Sequence, residues 1–169
     1  MVKDIKNILY ATDLSRNSAF AFRYALKLAN CFDAGITVLY ILPLMDSAME
    51  IPIITQMGED NYYKLREEKS RETIEGIKGR IRQLSEKEKE DTQMKIDRVS
   101  SIMVHEGDPV EEILTTADEL NSDIIILGSH GKGILKHTFL GTIPEKVLRR
   151  SRRPVLIVPI PKGITDIDL

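Results

Sequence analysis

The sequence predicts an α/β domain with a doubly wound, mostly parallel sheet and helices on both faces. Five short apolar runs, rich in β-branched and aromatic residues, have the length of buried strands. Segments with helical spacing of apolar residues lie between these runs, and Asp, Gly or Pro stands at most of the boundaries. Strands that alternate with helices in this way are typical of parallel sheets with right-handed crossovers.

The first part of the chain indicates a βαβ unit. Residues 5–11 and 36–42 are predicted to form strands one and two. Between them, from 15 to 32, apolar residues recur with helical spacing, so this segment is predicted to be a helix. As the single cysteine, on this helix, Cys31 is expected to be a core residue.

Residues 43–58 contain two prolines and show no clear period, so we expect a connecting segment whose structure the sequence leaves open. From 59 to about 90 the charge density is high, but an apolar stripe predicts a long helix with its charges outward. The members of that stripe are Tyr62, Leu65, Ile74, Ile77, Ile81 and Leu84.

The second half of the chain continues the alternation. Residues 95–104 are predicted to be strand three, and Pro109 suits the first turn of the helix that follows. The Ile-rich run 123–127 and the run 155–158 are predicted to be strands four and five, with a helix over 144–150 between them.

Composition narrows the function classes. The chain has 169 residues, 42% of them hydrophobic, so we expect one domain. Its formal net charge of −2 gives no overall electrostatic attraction to nucleic acid or anionic membrane. The basic cluster at Arg149, Arg150, Arg152 and Arg153 lies at a helix carboxyl end, where cations offset the helix dipole. A lone cysteine and an N terminus without a secretory pattern suggest a cytoplasmic protein.

The strongest chemical signal follows strand four. Gly128-Ser129-His130-Gly131 is separated by nine residues from Gly141-Thr142, at the start of the next helix. Glycines allow the backbone to approach a phosphate closely, and the N–H groups at a helix N terminus bind anionic oxygens. Spacing alone leaves open that the glycines only shape a tight turn and that Thr142 caps the helix. The pattern is neither a Walker loop nor Gly-x-Gly-x-x-Gly.

These residues match Gly-x2-Gly-x9-Gly-Ser/Thr, and the chain resembles the ATP-binding members of the universal stress protein family. Further likeness lies in residues 8–13, 107–109 and 153–159, so that nearly all of the chain except about 43–60 is covered. The resemblance implies a single domain over 1–169, strand order 3-2-1-4-5 as in the adenine nucleotide alpha hydrolases, and ATP with Mg or Mn as ligands. It also implies a homodimer formed through the last strand, while Pro159 and Pro161 leave open that they only protect this edge from pairing.

The resemblance also implies which residues contact the nucleotide. Asp13 would lie near the ribose and the metal-bound phosphates, although by its position alone it would be expected to cap the turn before the first helix. Ile41 would meet the adenine through backbone groups and Leu127 would flank the base or ribose. The full predicted ATP-binding set is Ala11, Thr12, Asp13, Ile41, Leu127, Gly128, Ser129, His130, Gly131, Lys132, Gly141, Thr142 and Ile143.

Pro144 and the lack of a carboxylate in the loop 129–143 shape the expected function. Pro144 supplies no N–H to a phosphate where relatives often have a small or hydroxylated residue, which affects the expected affinity. The loop 129–143 contains no carboxylate to act as a base, so we expect a switch or sensor with at most slow hydrolysis. A nucleotide-free dimeric interaction protein of the same fold is the alternative. A response-regulator-like phosphoacceptor is disfavoured because strand three ends in Val104-His105, without an acceptor aspartate.

Overall fold

A computed structural model of the chain describes residues 4–42, 44, 47–88, 96–130 and 140–159. In the described residues the elements are β1 (Asn7–Thr12), α1 (Arg16–Phe32), β2 (Gly35–Leu42), α2 (Ser47–Met57), α3 (Glu59–Glu88), a 3-10 turn (Ile96–Arg98), β3 (Val99–Glu106), α4 (Pro109–Glu119), β4 (Ile124–Gly128), α5 (Thr142–Arg150) and β5 (Val155–Val158).

The five strands form one sheet in the order β3-β2-β1-β4-β5, which confirms the predicted order. Every pair is parallel, with β1 at the centre between β2 and β4. The chain winds from β1 toward β3 in one direction and continues from β4 to β5 in the other. The carboxyl ends of β1 and β4 therefore flank the point at which the winding reverses, where doubly wound sheets form a ligand crevice.

Each face of the sheet carries its own apolar core, because strand side chains alternate between the two faces. On one face, Phe22 and Leu26 of α1 and Ile77 of α3 pack against Ile8 and Ile126. On the other face, residues of α4 and α5 cover the sheet; they are Val110, Ile113, Ala117 and Val147. Helices thus lie on both faces, as predicted.

Helix α2 occupies most of the segment 43–58, whose structure the sequence left open, in spite of Pro52 inside the helix. Two predictions are corrected by the structure. Leu65 was placed in the apolar stripe of α3, yet it is 50% exposed, while Tyr62 and Ile77 of the same stripe are buried. Cys31 was expected in the core but is exposed, since it lies on the side of α1 away from the sheet. The side chain of Leu84 lies outside the described residues.

The arginine cluster near the end of α5 is engaged largely with α4. Arg150 donates to both carboxylate oxygens of Glu111, at 2.7 and 3.0 Å. Arg153 donates to Asp118 at 3.2 Å and to the carbonyl oxygen of Ser122 at 3.0 Å. Arg150 and Arg153 thus have partners within the fold. No described helix is long and apolar enough to cross a membrane.

Candidate functional site

A cleft of about 120 Å³ opens at the reversal point of the sheet, beyond the carboxyl ends of β1 and β4. Its walls come from the β1–α1 turn, the end of β2, the start of α4, the end of β4 and the first turn of α5. The lining residues are Ala11, Thr12, Asp13, Ser18, Ile41, Pro109, Ile113, Leu127, Gly128, His130, Ile143 and Pro144. The topology thus brings together residues that are far apart in the sequence.

The β1–α1 turn presents Asp13 to the cleft. The carboxylate Oδ1 of Asp13 accepts from the backbone N–H of Ser15 at 3.0 Å and from its hydroxyl at 2.5 Å. Ser15 is in turn the N-cap of α1. Asp13 therefore holds the turn, as its position alone suggested, and also faces the cleft. The two roles are compatible because a carboxylate has a second oxygen.

The other wall is built from the end of β4 and the start of α5. The N-cap of α5 is Gly141, and no described side chain caps this helix end. Thr142 is the first helical residue, so it is not the N-cap that the alternative interpretation of the glycine motif assumed. In contrast, α1 and α4 are capped by Ser15 and Asp108. A helix N terminus without a side-chain cap leaves N–H groups available to an anion.

Gly141 lies against the end of β4. Its N–H donates to the carbonyl oxygen of Ser129 at 2.8 Å. A Cβ atom at Gly141 would come within 3.2 Å of that oxygen and 3.5 Å of the Cα of His130. Glycine suits this close approach of two backbone segments, since a side chain would force one of them to shift by a few tenths of an ångström.

The remaining wall is apolar. Ile41 from β2, Leu127 from β4, and Pro109 and Ile113 from α4 line the cleft together. Sequence reasoning selected Ile41 and Leu127 but missed Pro109, Ile113 and Ser18. Pro109 had a signal in the sequence, since Gly107-Asp108-Pro109 marks a sharp strand-to-helix turn at the sheet edge where the cleft lies. Ile113 had none, because a buried isoleucine one turn into a helix is usually only a core residue.

Eight of the predicted ATP-binding residues line this cleft: Ala11, Thr12, Asp13, Ile41, Leu127, Gly128, His130 and Ile143. Ser129 is buried next to it and its hydroxyl lies 3.0 Å from Nδ1 of His130. Gly141 and Thr142 begin α5 at the rim. Gly131 and Lys132 lie outside the described residues.

The described residues hold no group of three His, Cys, Asp or Glu side chains that could bind a metal alone. Among the residues described around the cleft, Asp13 carries the sole carboxylate. A hard cation such as Mg²⁺ takes oxygen ligands and is commonly held by one or two carboxylates together with substrate phosphates. The residues present therefore fit a metal that arrives with a phosphorylated ligand.

Fold and cleft together define a doubly wound α/β protein with a ligand site at the topological switch point. Residues 4–159 match the family model of the universal stress proteins, and the chain belongs to this family. Universal stress protein MJ0577 of Methanocaldococcus jannaschii is 30% identical over 157 residues, which cover 90% of this chain and 94% of the relative. The stress response protein NhaX of Bacillus subtilis is 27% identical, with 89% of this chain and 96% of the relative covered.

Solved structures agree with this assignment. The structure of MJ0577 superposes with a TM-score of 0.68 at 28% identity and covers 95% of this chain and all of that one. UspA of Lactobacillus plantarum, at 18% identity and a TM-score of 0.66, shares the fold over 92% of this chain and 99% of its own. A universal stress protein crystallised in complex with cAMP has a TM-score of 0.53 at 22% identity, covering 93% and 98%.

Proposed function

We propose that this universal stress protein binds ATP in the cleft between β1 and β4 and acts as a nucleotide-dependent switch or sensor in the stress response. One observation carries the proposal: eight residues chosen for ATP from the sequence line a single cleft at the sheet's reversal point. They come from four separate segments of the chain. The cleft also combines an apolar wall with an uncapped helix N terminus, as an adenine nucleotide requires.

The chemistry of the walls suggests the orientation of the ligand. The apolar residues Ile41, Pro109, Ile113 and Leu127 suit the flat base. The segment Gly128–His130 and the start of α5 suit the phosphates, because backbone N–H groups and the helix dipole favour negative charge there. Asp13 would then face the ribose or a Mg or Mn ion bound to the phosphates.

We further propose that hydrolysis is slow at most. Rapid phosphoryl transfer needs a positioned base or an oriented water as well as a phosphate cradle. Asp13 is the one carboxylate among the described lining residues, and its Oδ1 is already engaged by Ser15. A binding protein whose partners respond to its nucleotide state fits these residues better than an efficient ATPase. We propose the cytoplasm as its compartment, since a chain with a single cysteine suits a reducing environment.

A second candidate is a nucleotide-free dimeric interaction protein of the same fold. It is favoured by β5, an edge strand of the described sheet, whose residues Val155, Leu156 and Ile157 are only partly buried. Natural proteins usually cover such apolar edges. Pairing with a second copy would cover it, and we propose the homodimer for both candidates.

Whether the protein binds a nucleotide distinguishes the two candidate functions. Protein purified without added nucleotide is denatured, and any released nucleotide is identified by mass spectrometry. Calorimetric titrations of the emptied protein with ATP, ADP, AMP and cAMP, with and without Mg²⁺, then give the preference. We expect ATP to bind most tightly and its affinity to depend on Mg²⁺. A folded protein that carries no nucleotide and gives no heat with any of the four would support the interaction protein instead.

A further inference from the structure

The turn that presents Asp13 also forms a partition between two cavities. A second, small cavity of about 30 Å³ lies on the opposite side of this turn, beneath α3. Thr12 and Ser18 line both the cleft and the small cavity. Their hydroxyls are joined, since Thr12 Oγ1 donates to Ser18 Oγ at 2.9 Å. A displacement of the turn on the α3 side would therefore also change the cleft.

Leu14, the residue after Asp13, has an unusual backbone conformation. Its φ is +59°, in the left-handed region that residues with a branched side chain rarely adopt. Such a conformation persists only when neighbouring groups hold it in place. The N–H of Leu14 donates to Oγ1 of Thr12 at 3.0 Å, which fixes one side of the residue from within the turn.

Helix α3 holds the other two sides of Leu14. The guanidinium Nη1 of Arg80 donates to the carbonyl oxygen of Leu14 at 3.0 Å. The Leu14 side chain packs against the core on the same face as Ile77, and Ile77 and Ile81 of α3 line the small cavity beside it. Neither Arg80 nor any other residue of α3 is among those described around the cleft.

The N-terminal half of helix α3 is also anchored to the sheet, at the end of the edge strand β3. Arg66 donates through Nε to Oε1 of Glu106, the last residue of β3, at 2.9 Å, and its Nη2 lies 2.5 Å from Oε2. The ring of Tyr62 is buried beneath the guanidinium, 5.4 Å from its carbon. Ile77, one turn before Arg80, is buried in the core, so Arg80 projects from a packed part of α3 and its hydrogen bond can hold the turn in place.

We propose that Arg80 is a positioning residue for the nucleotide site: through the Leu14 carbonyl it holds the β1–α1 turn so that the Asp13 carboxylate faces the metal-bound phosphates. The claim that Asp13 faces phosphates rests on the proposed function. The claim that Arg80 holds the turn does not depend on any ligand. The proposal makes α3 a contributor to nucleotide affinity although α3 does not line the cleft. We therefore expect Arg80 to affect the binding of the phosphates and the metal, and not the binding of the base.

The test compares Arg80→Met with Arg71→Met, which replaces another exposed arginine of the same helix, and with Arg80→Lys. Methionine keeps the apolar stem but removes the donors, a loss that for one charge-assisted hydrogen bond corresponds to about tenfold in affinity. We expect the Kd of Mg²⁺-ATP to rise about tenfold in Arg80→Met, with the Kd of adenosine changed less than about twofold. Arg71→Met should leave both constants unchanged, and Arg80→Lys should restore part of the loss, because lysine retains a donor.

Amide hydrogen exchange of Leu14 and Ser15 in the nucleotide-free protein supplies a readout independent of any ligand. We expect faster exchange at these two amides in Arg80→Met and unchanged exchange in β1 and β4. Unaltered exchange, or an unaltered ratio of the Mg²⁺-ATP and adenosine constants in a folded Arg80→Met protein, overturns the inference. Should the unsubstituted protein bind no nucleotide, the proposed function fails, and the exchange measurement alone still decides whether Arg80 holds the turn.

Discussion

The backbone N–H of Gly141 donates to the carbonyl oxygen of Ser129 across 2.8 Å, which joins the start of α5 directly to the end of β4. The contact fixes where the uncapped N terminus of α5 stands relative to Gly128 and His130. The candidate phosphate site therefore has two of its sides set by one backbone hydrogen bond. This contact also explains why glycine is favoured as the third glycine of the motif, at the helix start.

Substitution of Gly141 by alanine should weaken ATP binding. The new Cβ would lie 3.2 Å from the Ser129 carbonyl oxygen, so either this backbone contact or the start of α5 must shift. We expect the Kd of ATP to rise about tenfold and the free energy of unfolding to fall by about 1 kcal/mol. Titration calorimetry and urea unfolding measure the two effects.

Gly79→Ala is the matched control for that substitution. A Cβ at Gly79 meets nothing within 4 Å, and the residue lies inside α3. Alanine in a helix interior is more favourable than glycine by about 0.5–1 kcal/mol. Gly79→Ala should therefore stabilise the protein and leave ATP binding unchanged. Equal ATP affinity in both alanine variants would contradict the proposed phosphate site.

Asp13→Asn should remove the metal-dependent part of ATP binding. The asparagine side-chain oxygen can still accept from Ser15, so the turn should survive, but the negative charge that attracts the cation is lost. We expect the ratio of ATP affinities with and without Mg²⁺ to fall toward one. Asp4→Asn, at an exposed position before β1 and at the opposite end of the sheet, serves as the control. A ratio that stays as large as in the parent protein would place the metal elsewhere.

Tyr10 should make the protein sensitive to alkali. Its side chain is buried and its hydroxyl donates to the carbonyl oxygen of Ser18. Burial raises the pKa of Tyr10 well above its ordinary value, since the charged phenolate would be desolvated. Above about pH 10 the unfolded chain loses this proton while the folded protein keeps it, so the free energy of unfolding falls by about 1.4 kcal/mol per pH unit.

Urea unfolding of the parent protein and of Tyr10→Phe between pH 9 and pH 11 measures this effect. Phenylalanine lacks the ionisable group, so its free energy of unfolding should decline less steeply with pH, although it starts about 1 kcal/mol lower because the hydrogen bond to Ser18 is gone. Parallel curves for the two proteins would show that Tyr10 ionises as readily in the folded state as in the unfolded state.

Ile157→Lys should convert the proposed homodimer to a monomer. Ile157 lies within β5 and is only partly buried, and a lysine on an edge strand discourages pairing with another chain. Ser101→Lys, on β3 at the other edge of the sheet, introduces the same charge as a control. Gel filtration with light scattering should give a monomer mass for Ile157→Lys and a dimer mass for Ser101→Lys and the parent. A monomeric parent protein would exclude the homodimer.

The sequence predicted most elements because their signals are local. The run 155–158 matches β5, and the other strands are displaced by a few residues at their ends, where pairing partners decide the boundary. Helix α2 was missed because Pro52 within it removes a backbone donor, which usually ends a helix. Leu65 was misplaced because helical spacing identifies a stripe but not how far the neighbouring surface extends to cover it. Cys31 was misplaced because its residue type does not fix which side of α1 it occupies.

What the sequence determined by itself was the alternation of strands and helices, the glycine motif and, through its family resemblance, the identity of most residues around the cleft. The alternation and the motif follow from local spacing, which the chain carries without reference to its partners in space, whereas the cleft residues follow from the resemblance. The tertiary structure decided that Pro109, Ile113 and Ser18 join the cleft, that Gly141 meets Ser129, and that Arg80 reaches Leu14. Such contacts depend on how the helices pack across the sheet, and spacing along the chain does not give their partner atoms or distances.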